Sequence, residues 1–179
     1  MVLPFYKYGL RFRTVEVEDA AFIVELRNDE ALARFLSKTS PDVEHQKEWL
    51  REYKKREELN QEAYFVALDK NQKRLGLNRL YNFEEDCFEI GSWIYSAGLD
   101  LSTPILGDLA VRDYGFETLG FSTCRFVVRK ANLQVLKYHV GFNPRQDGET
   151  DLDYLFSLSY ENYKKQRDKL LKLLDYELG

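Results

Sequence analysis

Cys87-Phe88-Glu89-Ile90-Gly91-Ser92-Trp93-Ile94-Tyr95 is the stretch on which the reading of this chain turns. Its aromatic and β-branched residues recur with period two, so it reads as a strand. In a regular strand Phe88, Ile90 and Ile94 share one face, while Glu89, Gly91, Trp93 and Tyr95 share the other. A glycine inside a strand marks a bulge or a close backbone approach, although read alone Gly91 also serves simply to relieve crowding beside Trp93. Upstream, Ala63 to Leu68 and Arg74 to Tyr81 are two further strands. The turn residues Asp69-Lys70-Asn71 and Glu84-Glu85-Asp86 separate the three, which suggests an antiparallel meander.

Working outward toward the C-terminus, a loop at Ala97 to Thr103 leads to a helix from Pro104 to Leu119. A strand, Ser122 to Arg129, and a helix, Asn132 to Val140, follow. This strand and helix alternation permits parallel pairing. Leu152 to Leu158 alternates again, and Ser159 caps a last helix running to about Glu177, with Tyr163, Leu170, Leu171 and Leu174 as an incomplete apolar stripe. Toward the N-terminus, Leu10 to Val17 reads as a strand and Asp19 opens a helix to about Arg27. A second short helix is expected over Glu30 to Leu36, and Asp42 caps a charged helix from Val43 to Leu59. The order is β-α-α-α-β-β-β-α-β-α-β-α, which predicts a mixed α+β (α/β) sheet.

A chain of 179 residues is about one domain by the prior of roughly 150 residues each, and no repeat or linker divides 1–179. A chain of this length buries roughly 70% of its unfolded surface without disulfides or metal. Lys and Arg number 26 against 30 Asp and Glu, a net charge of −4, whereas a nucleic-acid binder normally carries a basic excess. Cys87 and Cys124 show no ligand spacing and read as reduced core residues, so the expectation is a cytoplasmic protein without a metal site. No signal-peptide pattern and no run of about 18 apolar residues is present, which points away from export and from a membrane span.

Two more segments carry candidate chemistry. Thr103-Pro104 looks like a helix cap followed by proline at the first helical position, and the free N–H groups of such an end can receive a phosphate. Any ordinary helix also needs a cap. In Ala131 to Phe142, Asn132 is a credible N-cap, and His139 lies one turn from Val135 and Leu136 on a largely apolar face. A lone helical histidine is more often a packing residue than a catalyst, and Tyr138 beside it is by default a boundary residue.

In this order and spacing the segments resemble the GNAT superfamily of acyl-CoA-dependent N-acyltransferases, over most of the chain. Leu10-Arg11 with Asp19 and Leu26-Arg27-Asn28 are similar to the branch of ribosomal-protein N-terminal acetyltransferases. So are Gln46 with Trp49-Leu50, Glu89 to Trp93, Tyr114-Gly115-Phe116-Glu117 with Leu119-Gly120-Phe121, and Val128 followed by Asn132. Nucleotide-sugar amine acetyltransferases share these patterns. The resemblance implies a mixed, mostly antiparallel central sheet of about six to seven strands flanked by helices. It implies transfer of an acetyl group from acetyl-CoA, the co-substrate, to a primary amine of a small molecule or peptide. The amine would be an amino sugar on a nucleotide carrier or a protein N-terminus.

The same resemblance places the pantetheine arm between Cys87 to Tyr95 and Ser122 to Arg129. Backbone N–H groups around Trp93, Ile94 and Tyr95 would meet the thioester, one of them facing the developing oxyanion. Leu101, Ser102 and Thr103 would meet the pyrophosphate, and Asn132 the arm further along. Glu89 would take the ammonium proton, helped by burial near Trp93, and His139 or its neighbour Tyr138 would donate to sulfur. Two departures stand out. The phosphate loop, Leu99 to Pro104, has no glycine and adds Asp100, and Asn143-Pro144 stands where the family usually places a Gly-Phe pair. These departures resemble acyltransferase-like proteins of surface-polysaccharide assembly, which tilts the acceptor toward a nucleotide-linked amino sugar. Net acidity leans instead toward a cationic acceptor, with local charge deciding. They also support a second reading, a catalytically silent binding or assembly module whose C-terminal helix is a partner or homodimer surface.

Overall fold

The structure is a computed structural model that describes residues 3–176. In chain order its elements are β1 (Phe5–Lys7), β2 (Leu10–Thr14), α1 (Ala20–Asn28), α2 (Val43–Glu58), β3 (Ala63–Leu68), β4 (Arg74–Glu84), β5 (Cys87–Tyr95), α3 (Ser102–Asp113), β6 (Thr123–Arg129), α4 (Leu133–Val140), β7 (Arg145–Glu149), β8 (Asp153–Ser159) and α5 (Tyr160–Leu173). A π-helical turn, Tyr114–Thr118, extends α3. The eight strands form one sheet in the order β1-β2-β3-β4-β5-β6-β8-β7, antiparallel except for β5 beside β6. The meander expected over β3 to β5 is present.

Helices cover both faces of the sheet, which is why β3 is buried along its whole length. Phe65 and Ala67 of β3 face a core shared with Leu109 and Val111 of α3 and Tyr163 and Leu171 of α5. Tyr64 and Val66 face the other core, with Ile23 and Leu26 of α1 and Leu50 and Tyr53 of α2. The stripe on α5 therefore packs on its own sheet. No helix among the described residues is long and apolar enough to cross a membrane.

Three caps stand where the residue types place them: the Asp42, Asn132 and Ser159 side chains accept N–H groups at the starts of α2, α4 and α5. Other expectations are corrected. Glu30 to Leu36 forms turns, because the Asp29 carboxylate takes the N–H groups of Ala31 and Leu32 and diverts the chain from a helix. The strand from Leu10 ends at Thr14, since Asp19 accepts the Glu16 N–H and starts a 3-10 turn there. Strands β1 and β7 were not anticipated, and Glu177, the expected end of the last helix, lies outside the described residues.

The decisive feature is in β5. Pairing with β4 steps from Leu77 opposite Ile94 to Arg79 opposite Gly91, so β5 carries one extra residue, and Ser92 takes a left-handed φ of 52°. The bulge inverts the faces beyond it. Trp93 and Tyr95 join Phe88 and Ile90 in the α3 core, whereas Ile94 joins the α1–α2 core and Glu89 and Gly91 meet Tyr81. The single alternation read from the sequence fails here because a strand bulge resets the period of two.

Candidate active site

Two hollows meet at the bulge. Strands β5 and β6 pair over only three positions, Cys87 with Thr123, Phe88 with Cys124 and Glu89 with Arg125, and then separate. The gap is a cleft of about 120 Å³ between Ile90 to Trp93 and Phe126 to Arg129, with Asp108, Arg112, Asn132 and His139 also on its walls. On the opposite face lies a pocket of about 440 Å³ among α1, α2 and the loop from Leu36 to Ser40. Leu36 and Ser92 line both. A group held in the cleft and a group held in the pocket thus approach each other across Ser92.

The structure separates the residues singled out in the sequence. Trp93, Asn132 and His139 line the cleft. The Trp93 indole donates to the Pro104 carbonyl at 2.9 Å, tying β5 to the first turn of α3, and its ring packs 5.1 Å from Tyr138 and 5.7 Å from His139. The side chains of Ile94 and Tyr95 do not reach the cleft. Ile94 is in the α1–α2 core, and the Tyr95 hydroxyl donates to Asn78 Oδ1 at 2.8 Å. The Tyr95 ring passes so close to Gly107 of α3 that a Cβ there would meet its hydroxyl at 1.8 Å.

Leu101, Ser102 and Thr103 form the first turn of α3, and here the expected cap is corrected. The helix begins at Ser102, not after Thr103, and the Asp100 carboxylate holds its end: Oδ1 accepts the Ser102 N–H at 2.8 Å and its hydroxyl at 2.5 Å. The Asp100 backbone carbonyl accepts the Thr103 N–H. These hydrogen bonds from Ser102 hold the Asp100 carboxyl below the usual carboxylate range. Leu101 is exposed.

Glu89 is also relocated. It does not lie beside Trp93, because the bulge puts them on opposite faces. Its carboxylate accepts from the Tyr81 hydroxyl at 2.6 Å and from Asn82 Nδ2 at 2.9 Å. Gly91 leaves room for that hydroxyl, which would touch a Cβ at 3.0 Å. Tyr81 lines the 440 Å³ pocket, so Glu89 borders it through Tyr81.

Tyr138 and His139, adjacent on α4, separate clearly. The Tyr138 hydroxyl is turned inward onto Asp108 Oδ2 at 2.8 Å, and burial pushes its ionisation far up. His139, also buried, is pushed well below the ordinary imidazole value by burial and then by the Arg112 guanidinium. Both cysteines are free and buried.

Sequence reasoning missed Asp108 and Arg112, whose signal was two opposite charges at i,i+4, one within and one just after the largely apolar run from Pro104 to Val111. It also missed the charge of the larger pocket. Its charged lining residues, Arg27, Lys38 and Arg79, are all cationic, with His45 beside them. Arg79 is paired with Glu62. Arg27 instead has no carboxylate partner among the described residues and donates to neutral oxygens, Thr39 Oγ1 at 2.5 Å and Ser37 O and Oγ at 3.1 and 3.0 Å.

Comparison with known proteins agrees with this architecture. Residues 9–142 match the model of the acetyltransferase (GNAT) domain family. No curated protein matches the chain. Among solved structures, apo FdhC, described as a nucleotide-linked sugar GNAT, is 32% identical with a TM-score of 0.84, covering 95% of this chain and 97% of that one. The ribosomal-protein-S5-alanine acetyltransferase of Vibrio fischeri is 19% identical with a TM-score of 0.75, over 90% and 99% of the two chains. The spermidine N-acetyltransferase of Vibrio cholerae, solved with CoA and spermine, is 18% identical with a TM-score of 0.72, over 87% and 98%. The last two likenesses speak for the fold.

Proposed function

The chain belongs to the GNAT acetyltransferase family, and from that premise we propose that it transfers an acetyl group from acetyl-CoA to the amine of an amino sugar on a nucleotide carrier. The observation that carries the choice of acceptor is the pair of cations on the 440 Å³ pocket, Arg27 and Lys38, for which no carboxylate partner stands among the described residues, Arg79 being neutralised by Glu62. A diphosphate complements such a pocket; a polyamine or a protonated peptide terminus is repelled by it. Net acidity of the whole chain is overruled by this local charge. The likeness to a nucleotide-linked sugar GNAT supports the same reading.

In this reading the cleft takes the pantetheine arm, with Asn132 along it and an N–H near Trp93 or Ile94 facing the oxyanion. The amine reaches the thioester from the pocket side at Ser92. Glu89 receives the ammonium proton through the Tyr81 hydroxyl, which faces the pocket and donates to Glu89. His139 stands at the sulfur side. The divergence of β5 from β6 fits the arm, while the α3 end fits a pyrophosphate less well, because Asp100 already satisfies it with a negative charge.

That misfit is testable. Asp100→Asn keeps a capping side chain and removes the charge, so it is expected to tighten CoA binding about five- to tenfold at low salt. The gain shrinks as salt screens it. Calorimetric titration at two ionic strengths checks this, and unchanged affinity would mean that the phosphates bind elsewhere.

The acceptor is tested by release of free thiol from acetyl-CoA. A nucleoside diphosphate amino sugar, the free amino sugar, spermidine and an alanine-initiated peptide are compared. Turnover is expected with the nucleotide-linked amine, and Arg27→Ala is expected to raise its KM about tenfold to a hundredfold, the worth of a charged hydrogen bond. Faster turnover of spermidine or peptide would overturn the choice.

A further inference from the structure

Asp108 and Arg112 lie one turn apart on α3 and are almost wholly buried. Apolar side chains in place of such a pair are often neutral or stabilising, so packing alone does not call for it. The pair is nevertheless held by a specific set of polar contacts. Asp108 Oδ2 accepts from Arg112 Nε at 2.9 Å and from the Tyr138 hydroxyl at 2.8 Å. Arg112 Nη1 donates to Cys124 Sγ at 3.2 Å, and the guanidinium lies 4.9 and 5.7 Å from the ring centres of Phe126 and Phe142. Its Nη2 is 3.3 Å from His139 Nδ1. A guanidinium can only donate, so Nδ1 accepts and the ring proton sits on Nε2.

We propose that Arg112, anchored by Asp108, is a positioning residue for acetyl transfer, fixing His139 in the Nε2–H tautomer so that it offers the departing sulfur a hydrogen bond and not a proton. The role rests on the thioester lying in the cleft that Asp108, Arg112 and His139 line. The amine nitrogen bonds to the acyl carbon, the carbon–sulfur electron pair goes to sulfur, and the thiolate leaves hydrogen-bonded to Nε2–H. Two protons leave the nitrogen: the first goes to Glu89 by way of Tyr81 and on to solvent before attack, and the second, shed by the tetrahedral adduct as the amide forms, follows the same route. The other charged or titratable groups of this cluster are Asp108, Tyr138, Cys124 and, beside Asp108, Tyr95, whose hydroxyl donates to Asn78, with Arg129 across the cleft paired to Asp153. Burial keeps both the Tyr138 hydroxyl and the Cys124 thiol protonated.

Long-range proton–nitrogen correlation spectra of histidine-labelled protein read the tautomer without turnover. His139 is expected to show a protonated Nε2 and a bare Nδ1, unchanged between about pH 6 and 9. Arg112→Met is expected to release the tautomer and lower kcat about tenfold to a hundredfold, as loss of an orienting partner does, with the KM for acetyl-CoA nearly unmoved. Arg112→Lys, which can still donate, is expected to restore the tautomer and part of kcat. Because Arg112→Met strands a buried carboxylate, the double variant Asp108→Asn/Arg112→Met is the control against unfolding. A wild-type proton on Nδ1, or a folded double variant with wild-type tautomer and kcat, would overturn the proposal. A tautomer that follows Arg112 in a protein that acetylates no amine would overturn the catalytic role and, separately, count against the acceptor reading.

Discussion

His139→Ala is expected to lower kcat about a hundredfold, the usual scale for removing one preorganised donor from a developing charge. The two neighbours on α4 predict opposite behaviour. The Tyr138 hydroxyl is committed to Asp108, so Tyr138→Phe is expected to keep kcat within about threefold, and His139 alone of the two lines the cleft. His139→Gln is the informative variant. Its carbonyl can accept from Arg112 and its amide N–H can replace Nε2–H, so a hydrogen-bonding role predicts recovery to within about tenfold of wild type. A proton-donating role predicts no recovery. The pH dependence separates the two as well. Burial and then Arg112 lower the folded pKa of His139, so the ring is neutral at pH 7 and gains a proton only well below the ordinary value of 6.5. Turnover should therefore show no limb from this group near neutrality, and activity should fall only in acid, where protonated Nδ1 would repel Arg112. Steady-state kinetics of the three variants across pH, with unfolding temperatures as controls, decide the matter. Full turnover in both His139→Ala and Tyr138→Phe would remove α4 from the chemistry.

The parts of this site that were legible in the sequence are those set by local physics. Strands Ala63–Leu68 and Cys87–Tyr95 fall where aromatic and β-branched residues cluster between turns, and Asp42, Asn132 and Ser159 cap helices by side-chain geometry that reaches two or three residues. Arg145-Gln-Asp-Gly-Glu149 escaped because it is a polar strand at the sheet edge, with no buried face to impose alternation. Gly91 carried the signal of a bulge, but the inversion of faces beyond Ser92 escaped because a register shift depends on β4 as much as on β5. Asp100 was seen as a foreign charge in the phosphate loop, yet not as the cap, since Thr103-Pro104 presents the stronger local signal. The charge of the 440 Å³ pocket escaped for a different reason. Arg27, Lys38 and Arg79 come from α1, a loop and β4, and only the tertiary fold brings the three to one pocket and pairs Arg79, but not Arg27, with a carboxylate.

The largest loss of stability is expected at Asp113, far from the cleft. The carboxylate is buried at the end of α3 and accepts from the Tyr8 hydroxyl at 2.5 Å, the Tyr163 hydroxyl at 2.8 Å and Arg167 Nη1 at 2.7 Å, with Lys7 Nζ at 3.1 Å. It joins β1, α3 and α5 at one point. Asp113→Ala leaves Arg167, itself largely buried, with Glu117 and Asp168 as its remaining carboxylate partners, takes the carboxylate acceptor from the part-buried Tyr8 hydroxyl and leaves the buried Tyr163 hydroxyl with the Leu109 carbonyl alone. Removing one partner of a buried pair costs about 3–5 kcal/mol. At roughly 2–4 °C per kcal/mol for a chain of this size, Tm should fall by about 6–20 °C. Asp113→Asn keeps an acceptor and should lose less. Glu117 sets the acid side of the same network. Desolvation acts to raise its pKa, but hydrogen bonds from Arg167 and Lys7 overcome that and hold it below the ordinary 4.5. A depressed carboxylate contributes fully above its unfolded pKa and is lost as pH falls through the folded one, so the network should weaken only below about pH 4.5. Thermal unfolding of the two Asp113 variants at neutral pH, and of the wild type down an acid series, checks both parts. A Tm within about 2 °C of wild type in Asp113→Ala would show that α5 and β1 are held by their apolar contacts and that the buried charges add little.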